Sequence, residues 1–429
     1  MKKTRVLIFP SGAENALSVI DALKYNLHFE VFGATSKRDH SEYILDKDHL
    51  NIGDYNINSP KFFDLLNEYL DKKEIEYIIP THDEIILFLV ENQDKIHATI
   101  VASPVETCRI AFGKIDTFNK LAGAFYLPNV YTNMDDVEFP VFIKPNHGAG
   151  GKGAKLIEDK EELSKIKNLD GYLISEYLPG DEYTVDCFTN KKGELLFVGP
   201  RTRERITTGI SFRSRRVKLD DKIKQIAEDL NKRLEFRGVW FFQLKKDKHG
   251  EYKLMEISVR CAGTMSLYRE LGVNFPCLTL FDFMGYDVDV ICNDCGIELD
   301  RQYKSFYKID LKYDWIYIDF DDTIIVDGKI NTMAVRLIYQ CVNLGIKVAL
   351  LTKHSTDIYN DLDNYKISPK LFDEIIHIGE DELKSDYIKH EKAIFVDNYF
   401  PDRKDVFEKK KIPVFDVDAI ESLLIESEV

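Results

Sequence analysis

The chain has 429 residues and 44% hydrophobic content, enough to bury the cores of two or three domains. Its 58 basic and 73 acidic side chains give a formal net charge of −15, which argues against a general nucleic-acid binder. Seven cysteines at irregular positions read as reduced thiols of a cytoplasmic protein, and no apolar run approaches the ~20 residues needed to cross a membrane.

From the start to about residue 100, apolar runs alternate with amphipathic stretches. "RVLIF", "FEVFGAT" and "IEYIIP" read as strands, and "ENALSVIDALKY" and "PKFFDLLNEYLDKK" as helices. That alternation predicts a βαβ-type parallel sheet. The opening "MKKTRVLIFPSGAEN" suits a first strand better than a signal peptide, because its apolar run stops after four residues at Pro-Ser-Gly. The loop "PSGAEN" can receive an anion at a helix N-terminus but lacks a dinucleotide glycine fingerprint.

From about 101 to 310 the strands lengthen and alternate, as in "PVFIKP", "EYTVDCF", "ELLFVG", "VWFFQLKKD" and "YKLMEISVR", with "KIKQIAEDLNKRLEF" a clear amphipathic helix. This is an α+β pattern. Within it, "FPVFIKPNHGAGGKGAKLI" places Gly148, Gly150 and Gly153 in G-x-G-x-x-G spacing. A dinucleotide site needs a helix directly afterwards, and here the strand-like "AKLI" follows. A P-loop is excluded because Lys152 precedes Gly rather than Ser or Thr. What remains is a hairpin whose glycine tip can close backbone N–H groups over phosphates, with Lys144 on the strand leading into it. A glycine-rich hairpin with a surface lysine is the plainer alternative. Cys292 and Cys295 form one C-x-x-C, without the second pair or nearby histidine that a zinc set requires.

The segments "ISEYLPGDEYTVDCF" and "FFQLKKDKHGEYKLMEISVR" downstream of this hairpin resemble the ATP-grasp superfamily, particularly enzymes similar to the carbamoyl phosphate synthetase large subunit. The resemblance implies a half-Rossmann pre-ATP-grasp domain at 1–100 and an ATP-grasp domain at 101–310. It implies ATP and Mg²⁺ as cofactors. "VASPVETCRIAFGKIDTFNKLAG" is similar to the family's first helix, where Lys114 would meet the ATP phosphates. By the same resemblance Lys144 would touch the α/β-phosphates, and the loop holding Gly148, Gly150, Gly151 and Gly153 would cover them. Glu176 and Leu178 would border the adenine, Glu182 would bind the ribose, and Gln243 and Glu256 would hold magnesium. Arg260 matches an arginine that stabilises an acyl-phosphate. Ser258 stands where the family usually has asparagine, and a hydroxyl is a poorer metal ligand, which weakens the second magnesium position. In "RTRERITTGISFRSRRVK", Arg201, Arg203, Arg205, Arg213, Arg215, Arg216 and Lys218 are interrupted by one acid, Glu204. Forked guanidinium groups suit an anionic acceptor substrate, and that reading is preferred over a solvated loop.

From about 311 the βα alternation returns with "WIYIDF", "TMAVRLIYQCVNLG", "KVALLT", "EIIHIG", "AIFVDN" and "PVFDV". The run "WIYIDFDDTIIV" ends a strand on Asp319 and Asp321. This part resembles the haloacid dehalogenase-like (HAD-like) phosphatases, which implies a HAD-like Rossmannoid domain at 311–429 with little or no cap. By that resemblance Asp319 is the nucleophile and Asp321 the acid and base, with Asp322 where many members have glycine. Thr352 would bind the phosphoryl group and Lys384 would balance charge, with Lys353 as its competitor. Asp397, with Asp319 and Asp321, would hold Mg²⁺, and Asp402 lies behind them.

The expected protein is thus an α/β and α+β multidomain, bifunctional enzyme. It would join a small-molecule carboxylate to an amine through an acyl-phosphate, and dephosphorylate a related metabolite. The alternative is a phosphatase whose N-terminal region binds ATP as a regulator. No nucleic acid or membrane partner is expected, and a homodimer is the assembly the family resemblance suggests. The identities of the carboxylate, the amine and the phosphorylated metabolite are not written in these motifs.

Overall fold

The computed structural model describes residues 2–428 apart from 149, 150, 167 and 208. The chain divides into two units, Met1–Tyr303 and Lys304–Val429.

The first unit begins with β1 (Thr4–Phe9), α1 (Glu14–Leu23), β2 (Phe29–Thr35), β3 (Leu50–Ile52), α2 (Phe62–Lys73), β4 (Tyr77–Pro80), α3 (Asp83–Glu91) and β5 (Thr99–Ile100). These strands form a parallel sheet in the order β3-β2-β1-β4-β5, so the direction of winding reverses between β1 and β4. Successive side chains of a strand point to opposite faces, and here both faces are covered. Val6 and Ile8 pack with Val19, Ile20 and Leu23 of α1, while Leu7 and Phe9 pack with Phe62, Leu66 and Leu70 of α2. Helix α3 falls on "DEIILFLVE", a stretch the sequence pattern did not single out. Its apolar residues surround much of the helix, so the 3.6-residue period is faint.

Next come α4 (Val105–Phe112) and α5 (Lys114–Lys120). The sequence suggested one helix here, but the chain is broken at Gly113. Asn146 closes the new N-terminus, its carbonyl accepting from Lys114 N and its side-chain oxygen from Ile115 N. Strands β6 (Val141–Pro145) and β7 (Lys155–Ile157) follow, with α6 (Lys160–Ser164) and β8 (Tyr172–Glu176), giving an antiparallel sheet ordered β7-β6-β8.

The largest antiparallel sheet runs β10-β9-β14-β15, from β9 (Glu182–Thr189) and β10 (Leu195–Thr202) to β14 (Gly238–Lys246) and β15 (Tyr252–Ser258). Between β10 and β14 lie the short strands β11 (Ile206–Thr207), β12 (Ile210–Ser211) and β13 (Arg213–Arg215), then α7 (Asp221–Arg233). Tyr183, Val185, Cys187, Trp240, Phe242 and Leu244 point to one face, where Ile223, Ile226, Ala227 and Leu230 of α7 cover them. The Trp240 ring stacks on Phe236 at 3.8 Å and its indole N–H donates to Thr189 Oγ1 at 2.9 Å. Helices α8 (Ser266–Arg269) and α9 (Phe275–Phe283) and strand β16 (Glu298–Asp300), which pairs with β13, complete the unit.

The second unit holds β17 (Trp315–Ile318), the hairpin β18 (Ile325–Val326) and β19 (Lys329–Ile330), α10 (Thr332–Leu344), β20 (Lys347–Thr352) and α11 (Ile358–Asn364). It continues with β21 (Glu374–His377), α12 (Lys384–Tyr387), β22 (Ala393–Val396), α13 (Phe400–Lys410) and β23 (Val414–Phe415). Its parallel sheet is ordered β21-β20-β17-β22-β23. The hairpin is all that separates the loop after β17 from α10.

Strand β14 starts at Gly238 with φ of +76°, and a β-carbon there would lie 2.5 Å from Thr279 Cγ2. Gly238→Ala is expected to lose roughly 1–2 kcal/mol from the left-handed backbone, plus the cost of the clash. In urea unfolding, adding Thr279→Ser, which deletes that methyl, should recover only the clash.

Candidate functional site

The alternation that buries one face of the four-stranded sheet turns a polar set to the other. Across the strands Arg201 faces Thr184, Thr184 faces Gln243, and Gln243 faces Glu256. The next row toward β15's end sets Asp186 beside Phe241 and Phe241 beside Ser258. Glu182 and Lys245 occupy the row on the other side. A period of two therefore gathers on one surface residues that are far apart in sequence.

A register shift occurs after the Gln243–Glu256 pair, since Leu244 pairs with Leu254 and Met255 has no partner in the ladder. Such a bulge leaves a backbone carbonyl without its sheet partner. Met255 O accepts from Lys144 Nζ at 3.1 Å, which joins β6 of the smaller sheet to β15 of the larger one. Lys144 is buried. Burial pulls its pKa down to about 8, with Glu256 opposing and the charge of Lys114 adding to the fall. Lys114 Nζ donates to Gly148 O at 3.1 Å, so the two lysines flank the start of the glycine loop. Gly148, Gly151 and Gly153 have φ of +141°, +67° and +77°, values glycine adopts readily; Gly150 lies outside the described residues. Glu176 Oε1 accepts from Asn129 N at 2.8 Å, and Leu178 is buried. Glu182 pairs with Arg203 at 2.5 Å and with Lys245 at 4.0 Å.

Gln243 and Glu256 are opposed oxygen donors, the chemistry magnesium takes, and they fit one such ion. Ser258 does not extend the pair. Its hydroxyl donates to Asp83 at 2.6 Å. Arg260 also reaches Asp83, at 3.0 Å from Nε and 2.9 Å from Nη2. Asp83 escaped the sequence reading because it opens α3, the helix that reading did not mark.

The arginine-rich segment is not a set of uncommitted cations. Arg201 is buried in an ion pair with Asp186 at 2.6 Å and also donates to Ser214 Oγ, so it is enclosed rather than presented to a substrate. Arg213 pairs with Asp300, and Arg215 with Glu298 at 2.5 Å and Glu204 at 3.4 Å. Arg205 pairs with Asp300, and Arg216 with Asp294 at 2.9 Å. Asp294, Glu298 and Asp300 come from the distant segment around β16 and Asp186 from β9, pairings that local charge counting could not find. All seven cysteines are free thiols, with Cys292 partly exposed and Cys295 exposed.

In the second unit, the loops after β17, β20 and β22 bring a second polar set together. Lys384 Nζ lies 2.7 Å from Asp319 and 2.6 Å from Asp397, with Asp402 at 3.7 Å. All four side chains are buried. Lys353, the competing lysine, pairs with Asp402 at 3.0 Å. Burial raises the Asp319 pKa to about 6, Lys384 opposing and Asp397 adding to the rise. Two buried carboxylates on one ammonium leave an excess of negative charge that a cation would offset. Among the described residues no three His, Cys, Asp or Glu side chains converge as a ready metal cage. Thr352 Oγ1 is buried without a hydrogen-bond partner among the described residues, which suits it to an incoming oxyanion. Asp322 has φ of +51°, the left-handed conformation that glycine adopts most easily.

Asp321 is half exposed and bonds His354 Nδ1 at 2.8 Å, while His354 Nε2 bonds Asp361 at 2.6 Å. Burial works against charge on His354, but Asp361 and Asp321 outweigh it and raise its pKa. In "ALLTKHS" the histidine is a lone residue beside a lysine, with no sequence pattern to mark it.

Residues 168–297 match a family model described as ATP-grasp in the biosynthetic pathway with Ter operon, and residues 126–171 match the carbamoyl-phosphate synthase L chain ATP binding domain. The first unit has the ATP-grasp fold. Both matches lie inside it. A D-alanine–D-alanine ligase of Clostridium perfringens is 28% identical over 142 residues, which are 32% of this chain and 46% of that protein. The chain thus matches under half the length of that relative. A biotin carboxylase from Campylobacter jejuni, in complex with a β,γ-ATP ligand, superposes with a TM-score of 0.57 at 16% identity, covering 67% of this chain and 72% of that one. N5-carboxyaminoimidazole synthetase from Staphylococcus aureus, complexed with ADP, superposes at 0.54 and 14% identity, covering 68% and 79%. No helix among the described residues is long and apolar enough to cross a membrane.

Arg201→Ala strands a buried Asp186 carboxylate and should cost about 3–5 kcal/mol in equilibrium urea unfolding. The double variant Arg201→Met with Asp186→Leu should recover most of that loss.

Proposed function

We propose that the ATP-grasp unit is an ATP- and Mg²⁺-dependent carboxylate–amine ligase and that the second unit is a HAD-like phosphomonoesterase. In this reading residues 1–100 form the pre-ATP-grasp domain, 101–310 the ATP-grasp domain and 311–429 the phosphatase. The observation that carries the ligase is the convergence of Lys114, Lys144, Gln243, Glu256 and Arg260 around one polar sheet face.

A carboxylate oxygen of the acceptor attacks the ATP γ-phosphorus, ADP leaves, and an acyl-phosphate forms. The amine nitrogen then adds to the acyl carbon, phosphate leaves, and the nitrogen loses a proton to give the amide. Lys114 and Lys144 neutralise the phosphate oxygens, and Arg260 holds the transferred group, each acting where charge develops. Gln243 and Glu256 would hold magnesium, which neutralises phosphate charge when bound. Glu176 and Leu178 border the base, and Glu182 takes the ribose. Of the arginines, Arg213 and Arg215, which stay exposed beside their carboxylates, are the candidates for the acceptor anion, since Arg201 and Arg203 are enclosed in pairs with Asp186 and Glu182.

For the phosphatase, the buried Asp319–Lys384–Asp397 group and the unpartnered Thr352 hydroxyl carry the reading. Asp319 attacks phosphorus, the leaving oxygen takes a proton from Asp321, and water then hydrolyses the aspartyl-phosphate with Asp321 as base. Asp397 and Asp319 would hold the metal. The short hairpin before α10 leaves this site without a large cap, which suits a bulky phosphorylated metabolite.

Lys144→Ala is expected to lower amine-dependent ADP release by about 10²–10³ in kcat while phosphate-ester hydrolysis is unchanged. Asp319→Asn should abolish Mg²⁺-dependent hydrolysis of p-nitrophenyl phosphate and leave ADP release intact. Loss of both activities in a folded Asp319→Asn protein contradicts two independent sites. Nucleotide binding without amine-dependent ADP release points instead to the regulatory reading of the first unit.

Lys144 also sets a proton linkage. With a pKa near 8 the ammonium is about half deprotonated at pH 8, and a phosphate beside it restores the proton. MgADP binding should therefore take up close to half a proton at pH 8 and almost none at pH 6. Calorimetry in buffers of different ionisation enthalpy measures this, and Lys144→Arg, permanently charged, should remove the uptake.

A further inference from the structure

We infer that Asp83 is a positioning residue for Arg260, and that Ser258 serves this carboxylate rather than a second metal. The inference rests on reading the sheet face as a phosphoryl-transfer site and adds to it the device that aims its arginine.

Ser258 ends β15 two residues after Glu256, so these two side chains share one face of the strand, and Arg260 lies in the bend that follows. Asp83 comes from a different part of the first unit, the opening turn of α3 next to the winding reversal of the parallel sheet. Its two oxygens divide the work. Oδ1 accepts the Ser258 hydroxyl at 2.6 Å, and Oδ2 takes Arg260 Nε at 3.0 Å and Nη2 at 2.9 Å. Arg260 Nη1 donates to the carbonyl of Cys261 at 3.1 Å. The guanidinium also sits over the Phe241 ring, 5.5 Å from its centroid. Of the five guanidinium N–H bonds these contacts engage three, and one on each terminal nitrogen remains for a ligand.

A guanidinium held on its inner edge, with its outer edge available, is oriented before any substrate arrives. Such preorganisation is what makes a charge effective on a transition state. The pair is not sealed in the core, because Arg260 and Asp83 side chains keep 20% and 25% of their exposure. Burial works against ionised Asp83, yet Arg260 and the Ser258 hydrogen bond outweigh it and hold the carboxyl below its usual range. The asparagine usual at the Ser258 position in the resembling family would offer a carbonyl oxygen to a metal. Here the short hydroxyl is turned onto Asp83, and the donor pair is left at Gln243 and Glu256.

The test uses MgADP with fluoroaluminate, which mimics a phosphoryl group in transfer, on the full-length protein by titration calorimetry. Wild type should bind MgADP and bind it more tightly when fluoroaluminate is present, and Arg260→Ala should lose that gain. Asp83→Ala should cut the gain at least about tenfold, the effect of losing hydrogen bonds to a charged group, while MgADP affinity without fluoroaluminate is unchanged. Ser258→Ala should cut it less, and Asp83→Glu should restore part of it. A wild-type gain in both Asp83→Ala and Ser258→Ala, with the gain absent in Arg260→Ala, overturns the positioning role and leaves the site intact. No MgADP binding, or no gain, in wild type overturns the site reading and this inference with it. If Asp83→Ala fails to fold, Ser258→Ala decides: an unchanged gain there overturns the role.

Discussion

One irregularity in a strand organises the candidate ligase site. The ladder between β14 and β15 slips by one residue at Met255, and the carbonyl released there receives the Lys144 ammonium. That contact ties the small sheet, with its glycine loop, to the large sheet that carries Gln243 and Glu256. It also buries a cation beside Glu256, which lowers the Lys144 pKa while leaving the charge ready to return when a phosphate arrives.

The same sheet shows why so much of this site was legible in the sequence. Glu182, Gln243 and Glu256 were named through the family resemblance, and the strand ladders set them on one sheet face. Lys114 and Lys144 were also readable, since each lies beside the glycine-rich hairpin in the chain or in the motif order. What the sequence could not supply were partners brought from afar. Asp83 lies on a helix whose apolar residues blur its period, and the acids on Arg205, Arg213 and Arg215 include Asp300 and Glu298 of β16, 83 to 95 residues on. A local count of charges saw seven cations and one acid, whereas the fold pairs Arg201, Arg205, Arg213, Arg215 and Arg216 with carboxylates.

In the second unit the motif order told more than any single residue. Asp319, Thr352, Lys384 and Asp397 follow successive strands or open a helix, and a parallel sheet gathers such positions at one end. The family resemblance favoured Lys384, with Lys353 as its competitor. Their distances to Asp319 and Asp402 separate them, with Lys384 against the proposed nucleophile. His354 was missed because one histidine beside a lysine carries no pattern, and only the fold sets it between Asp321 and Asp361.

The central claim is that the paired sheets of the first unit hold a magnesium nucleotide. A crystal structure of the full chain grown with a non-hydrolysable ATP analogue and Mg²⁺ tests it most directly. The account predicts phosphates against Lys114 and Lys144, and a metal ion on Gln243 and Glu256. Nucleotide bound elsewhere, or a metal absent from that pair in a nucleotide-loaded crystal, would contradict it.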